Sequence, residues 1–161
     1  MNYADPQSGN FLFQDDGRLG LIDFGCIQHF TQEEWELTRL GYQTDEGGPE
    51  IVRELLRRAC GATEADFNNE EYMALINESI GWMLEPVRHE GPFDYGDEAH
   101  FRRGLEVFGR LVARRYTRSH PMYVYWHRSV FGMKALLYRL GAQVDLKTLP
   151  ITAWWRLSSD G

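Results

Sequence analysis

A chain of 161 residues, 43% hydrophobic and 14% aromatic, carries enough apolar material for one domain with a real core, which excludes an intrinsically disordered polypeptide. The formal charge of −7 argues against a general nucleic-acid binder. That charge is split: residues 1–98 hold 6 Arg against 21 Asp and Glu, net −15, whereas residues 99–161 hold 11 Lys and Arg against 3 Asp and Glu, net +8. No apolar run approaches the roughly 18 residues needed to span a bilayer. Two cysteines, Cys26 and Cys60, with no signal-like leader, point to a reducing, cytoplasmic setting and away from a disulfide scaffold.

The first 25 residues organise the rest. Asp5 and Asn10 stand five positions apart, in the stretch Tyr3-Ala4-Asp5-Pro6-Gln7-Ser8-Gly9-Asn10. Two short apolar runs follow, Phe11-Leu12-Phe13-Gln14 and Leu19-Gly20-Leu21-Ile22, around Asp15-Asp16-Gly17-Arg18, a step that favours a tight hairpin turn. The second run ends in Asp23-Phe24-Gly25, 13 positions after Asn10. Phosphoryl transfer from a nucleotide needs a carboxylate to receive or orient a hydroxyl proton, and oxygen ligands to hold Mg²⁺ against the phosphates. Taken singly, Asp5-Pro6 reads as a turn and Asp23 as a strand-end cap. Their order and spacing favour the functional reading.

The stretch ADPQSGNFLFQDDGRLGLIDFG resembles the catalytic and metal-binding loops of the ABC1/UbiB/ADCK family of atypical, protein-kinase-like proteins. That family typically reads Ala-Asp-Pro-His-Pro-Gly-Asn, then a short hairpin, then Asp-Phe-Gly. The resemblance implies Asp5 as catalytic base, Asn10 as a Mg²⁺ ligand, and Asp23 as the Mg²⁺ ligand that bridges the nucleotide phosphates. Phe24 and Gly25 complete the cofactor-binding loop. Gln7 and Ser8 stand where His and Pro are usual, and no His precedes Ala4. Neither departure removes the base or a metal ligand.

Beyond Gly25 the pattern turns helical. Thr31-Gln32-Glu33-Glu34 reads as a capping box opening a helix with Trp35, Leu37, Thr38 and Leu40. Asp45 to Pro49 breaks it, and Pro49 starts a second helix with Ile51, Val52, Leu55, Leu56 and Ala59 on its apolar face and Gly61 as its stop. A long amphipathic helix begins at Thr63 or Asp66 and is expected to end before Pro86. His89 to Asp97 reads as a loop. A helical stretch from Ala99 to Ser119 sets Phe101, Leu105, Phe108, Leu111 and Val112 against Arg102, Arg103, Arg110, Arg114, Arg115 and Arg118. This basic face reads as a solvated surface paired with the acidic first 98 residues, ahead of a patch for phosphates or an anionic membrane.

A last helix from about Met122 to Leu140 stops at Gly141, and HRSVFGMKALLYRLGAQVDLKTL resembles the C-terminal helical end of the same family. The five histidines show no metal-ligand spacing. His127 and Arg128, among Tyr123, Tyr125 and Trp126, read as helix packing ahead of a small-molecule groove. Cys26 reads as a small buried residue. Trp154-Trp155-Arg156 fits either docking on the helices or a membrane interface.

Together these elements predict a mainly α chain: a protein-kinase-like C-terminal lobe of five or six helices with one short β-hairpin near its start. Residues 26–161 show no Gly-rich phosphate loop, no Val-Ala-x-Lys strand and no helix Glu to pair with such a Lys. Residues 1–161 are therefore expected to form a partial kinase-like domain, with little turnover alone and with the nucleotide-clamping lobe in cis or on a partner chain. By resemblance, the cofactors are ATP and Mg²⁺, and the partners are a nucleotide and an isoprenoid lipid or membrane surface. The pathway is ubiquinone or isoprenoid-lipid biosynthesis, at the periphery of the inner membrane. Two other classes stay open: a small-molecule phosphotransferase of the aminoglycoside or choline kinase type, and a non-catalytic helical interaction module keeping the motif as a relic.

Overall fold

Local signals set most of the boundaries in the computed structural model, which describes residues 1–44 and 47–148. Phe11–Phe13 (β2) and Leu19–Leu21 (β3) pair antiparallel as the expected hairpin, with Gly17 at φ +81° in its turn. Helix α1 (Gln32–Gln43) opens with the predicted capping box: the Thr31 hydroxyl accepts from the N–H of Glu34 at 3.2 Å, and the Glu34 carboxylate accepts from the N–H of Thr31 at 2.8 Å. Helix α2 (Gly48–Cys60) carries Pro49 in its first turn and ends on Gly61 at φ +61°, where the Gly61 and Ala62 N–H groups bond back to Arg57 and Leu56.

Two expectations about the next segment fail. The helix does not run unbroken from Thr63. A single turn, α3 (Glu64–Phe67), follows Thr63, whose N–H donates to Asp66; Asn69 then caps a separate helix, α4 (Glu70–Arg88), by accepting from the N–H of Tyr72 at 3.1 Å. Nor does α4 stop before Pro86; it continues to Arg88. Proline in a helix deprives the carbonyl four residues earlier of its donor, here that of Trp82. The Lys134 ammonium supplies one, 3.4 Å from the Trp82 oxygen. A side chain 52 positions away thus repairs the break that the local sequence predicts.

Helix α5 (Glu98–Ala113) is shorter than the stretch read from the sequence. It ends where Arg115 adopts φ +58° and the N–H of Tyr116 bonds to the Leu111 carbonyl at 2.9 Å. Glycine normally takes that left-handed position, and a β-carbon there is strained by roughly 1 kcal/mol. Arg115→Gly should therefore stabilise the protein by about 0.5 kcal/mol at most once the added flexibility of the unfolded chain is counted, read from urea unfolding. Helix α6 (Met122–Leu140) ends on Gly141 at φ +57°, as expected.

The main core lies between α2, α4 and α5, around Val52, Leu56, Phe67, Leu75, Val107 and Leu111. A smaller cluster of Leu37, Ala59 and Met122 joins α1, α2 and α6. The arginines of the basic stretch reach across to acidic partners: Arg103 to Glu85, Arg110 to Glu78, Arg114 to Glu71 and Arg118 to Asp66. These pairs answer the split in charge between the two parts of the chain. They leave the phosphate or membrane-patch reading without support.

The hairpin is not the only β structure, contrary to the sequence reading. Asn2–Tyr3 (β1) pairs with Ile27–Gln28 (β4), and Phe93–Asp94 (β5) with Gln143–Val144 (β6). Two-residue bridges carry no alternating pattern, so sequence periodicity cannot announce them. Cys26, expected as a small buried residue, is half-buried. Burial pushes the half-buried Cys60 thiol up to about 11, which keeps it protonated at neutral pH. Among the described residues no helix is long and apolar enough to cross a membrane. Trp154, Trp155 and Arg156 lie outside the described residues.

Candidate functional site

The Asp5 loop is held on three sides. Antiparallel pairing of β1 with β4, extended by the bond from the Ala4 N–H to the Cys26 carbonyl at 2.9 Å, ties it to the residues just after Asp23-Phe24-Gly25. The Asn10 carbonyl accepts from the N–H of Ile22 at 3.0 Å, joining the other end of the loop to the residue just before Asp23. Helix α6 closes the third side. Its Ser129 hydroxyl lies 2.7 Å from both the Asn2 side-chain carbonyl and the Tyr3 main-chain carbonyl. Gly132 lies so close beneath Pro6 that a β-carbon would come within 2.7 Å of the proline ring.

Within this frame Asp5 and Asn10 meet. The buried Asn10 amide donates at 3.0 Å to both the side chain and the main-chain carbonyl of Asp5. With its nitrogen turned to Asp5, Asn10 presents the carbonyl oxygen for a cation. The second Asp5 oxygen accepts from the Arg128 guanidinium at 2.5 Å. That bond and the Asp5 charge raise the Arg128 pKa above its ordinary value. Gln7, which stands where the resembled family has His, donates to Asp5 at 3.3 Å.

Asp23 stands apart from this pair. It is exposed, sits at φ +60°, and accepts from the N–H of Gly25 at 3.0 Å. A non-glycine residue in that region is uncommon, and such strain gathers at functional sites. Phe24 is also exposed and meets the Tyr3 ring edge-on at 6.3 Å; the Tyr3 hydroxyl in turn donates to the Ile22 carbonyl at 3.2 Å. Phe24 adds to the exposed apolar side chains of the hairpin, where Phe13 and Leu19 lie on one face and Leu12 and Ile22 on the other, and Phe13 is 70% exposed.

Sequence reasoning brought together Asp5, Asn10 and the Asp23 loop but missed two members of the site. Arg128 was placed among packing residues, and Tyr3 was noted only as part of the motif. The signal for Arg128 is weak: a charge beside aromatics on a helix says nothing about a partner 123 positions away. His127 is half-buried beside Phe108, Tyr123 and Phe131, and burial lowers its pKa; it also lines a cavity with Tyr123 and Trp126, so the packing and the groove readings of that stretch both find support.

The donor set of Asn10 and Asp23 is all oxygen, which suits Mg²⁺ and not zinc. Among the described residues no three His, Cys, Asp or Glu side chains gather into a metal-binding cluster. A Mg²⁺ ion bound here would need phosphate oxygens and water to complete its shell, as Mg²⁺ in nucleotide sites does. No protein-family model, no curated protein and no solved structure matches this chain.

Proposed function

We propose that the chain is the C-terminal lobe of an ATP-binding, Mg²⁺-dependent atypical kinase or ATPase of the ABC1/UbiB type, linked by that resemblance to isoprenoid-lipid or ubiquinone biosynthesis. Asp5 receives or orients the proton of the attacking hydroxyl or water. Asn10 and Asp23 hold Mg²⁺, which when bound neutralises charge on the transferring phosphoryl group. The observation that carries this reading is the Asp5–Asn10 contact at 3.0 Å, on a loop hydrogen-bonded at both ends to the segment containing Asp23.

Each neighbour then has a task. Arg128 is a positioning residue: its guanidinium holds one oxygen of the Asp5 carboxylate and so fixes the orientation of the base. Asn10 holds the other oxygen through its amide nitrogen, and its carbonyl oxygen would be the ligand to Mg²⁺. The left-handed Asp23 backbone carries an exposed carboxylate, steadied by the Gly25 N–H, that would be open to a metal ion. The exposed pair Phe13 and Leu19, on one face of the hairpin, offers an uncovered apolar surface on which a nucleotide-clamping lobe, in cis or on a partner chain, would sit. The Asp5–Asn10 contact would serve a small-molecule phosphotransferase equally well, and the non-catalytic reading draws no support from a particular contact.

Thermal unfolding with increasing MgATP tests the reading. The melting temperature should rise with MgATP concentration, and the rise should need Mg²⁺. Asp23→Asn, which keeps the left-handed backbone and an acceptor for Gly25, should lose the rise. Hydrolysis by this lobe alone should be close to background. A chain keeping the motif only as a relic would show no Mg²⁺-dependent rise, with the same result for wild type and Asp23→Asn.

A further inference from the structure

Behind the catalytic loop lies a second site. A cavity of about 590 Å³, between α1, α2, α4 and α6, reaches from Lys134 and Tyr95 to Tyr3 and Pro6. Well-packed interiors leave few voids larger than a water molecule, whereas small-molecule sites run to roughly 300–1,000 Å³. The walls are mainly apolar, and among the described lining residues there is no Asp, Glu or Arg.

Gly41 supplies an independent sign that the space is kept open. It lies inside α1 and lines the cavity. Glycine inside a helix is destabilising relative to alanine. Its φ is not in the left-handed region, and a β-carbon built on it meets nothing within 4 Å. Neither backbone conformation nor close packing calls for glycine there.

Lys134 sets the chemistry. It is only 9% exposed, and its ammonium rests 4.0 Å over the Trp82 ring and 6.0 Å from the Tyr95 ring. One of its three N–H donors faces the Trp82 carbonyl. The neighbouring carboxylate, Glu85, is already bonded to Arg103 and to His100. One carboxylate therefore stands against both Arg103 and Lys134, and Lys134 lines the mainly apolar cavity. Burying a cation against apolar walls is costly without an anion, so the fitting occupant brings one.

We propose that this cavity binds a medium- to long-chain alkyl carboxylate, its head paired with Lys134 and its chain running toward Pro6 beneath the catalytic loop. Binding there would act on the base from behind, because Pro6 follows Asp5 directly and rests on α6 at Gly132. The proposal stands apart from the nucleotide site and holds whether or not that site binds MgATP.

Calorimetric titration of the full chain with dodecanoate, dodecanol and dodecyltrimethylammonium, each below its micelle-forming concentration, tests it. Dodecanoate should bind saturably at one site per chain and more tightly than either of the others. Lys134→Met should weaken dodecanoate about tenfold or more while leaving dodecanol nearly unchanged. Gly41→Phe, which projects a ring into the cavity and leaves Lys134 in place, should weaken both about tenfold or more in a protein that still unfolds cooperatively. No saturable binding of dodecanoate would overturn the proposal. So would equal binding of the cationic amphiphile, or dodecanoate binding untouched by Gly41→Phe.

Discussion

Gly104→Ala should destabilise the protein by about 2 kcal/mol or more, although alanine is the better helix former by about 1 kcal/mol. Gly104 is buried on α5, and a β-carbon built there falls 2.3 Å from the Trp82 ring. The ring has no room to yield. Its Nε1 donates to the His100 carbonyl at 2.8 Å, it stacks on His100 and Phe131, Phe108 meets it edge-on, and Lys134 covers its face. Overpacking must therefore separate α4 from α5 or force Trp82 off its rotamer. Gly109 on the same helix is the control, since a β-carbon there meets nothing within 4 Å. Gly109→Ala should gain about 1 kcal/mol. Urea unfolding of the two variants should shift the midpoint in opposite directions, and parallel shifts would show that the Trp82 contact is not the limiting one.

The second large effect is a pH dependence. Burial, the first cause, with Arg103 adding repulsion and Glu85 opposing, lowers the Lys134 pKa from 10.5 to about 8. Between those values the unfolded chain holds a proton that the folded chain has released, so this group makes stability rise with pH. Below about pH 8 the whole cost of the buried charge is present. Integrated over the window, Lys134 alone changes stability by about 3 kcal/mol. Cys60, at about 11, and Tyr72, Tyr95 and Tyr123, each at about 12, hold protons longer when folded and pull the opposite way at high pH. The comparison is therefore made against Lys134→Met. Relative to wild type, this variant should be about 3 kcal/mol better off at pH 7 than at pH 10.5. Its absolute stability also reflects the Trp82 carbonyl left without a donor, but that loss does not vary with pH. Two curves that run parallel from pH 7 to pH 10.5 would show Lys134 to be unperturbed.

What was legible in the sequence is what local chemistry decides. Thr31 with Glu34, Gly61, Gly141 and the hairpin turn at Gly17 each fix a boundary with atoms a few residues away, and each appears where the pattern places it. The failures have non-local causes. Pro86 looks like a stop until Lys134, from another helix, supplies the missing donor. Arg115 takes a glycine's conformation with no glycine to signal it. The site divides in the same way. Asp5 and Asn10 are five positions apart on one tight loop, so their contact follows from spacing. Arg128 arrives from α6, and only the packing of that helix on Pro6 and Tyr3 brings it to Asp5. The cavity was hidden for the opposite reason: its walls are the same apolar residues that a packed core would use.

The central claim is that Asp23 and Asn10 hold a metal–nucleotide complex beside Asp5. Electron paramagnetic resonance of Mn²⁺–ATP, with Mn²⁺ standing in for Mg²⁺, tests it most directly because it reads the metal and does not require turnover. Wild-type protein should immobilise the complex in competition with Mg²⁺, and Asp23→Asn and Asn10→Ala should each weaken binding about tenfold or more. Equal binding by all three proteins, or none by the wild type, would contradict the account.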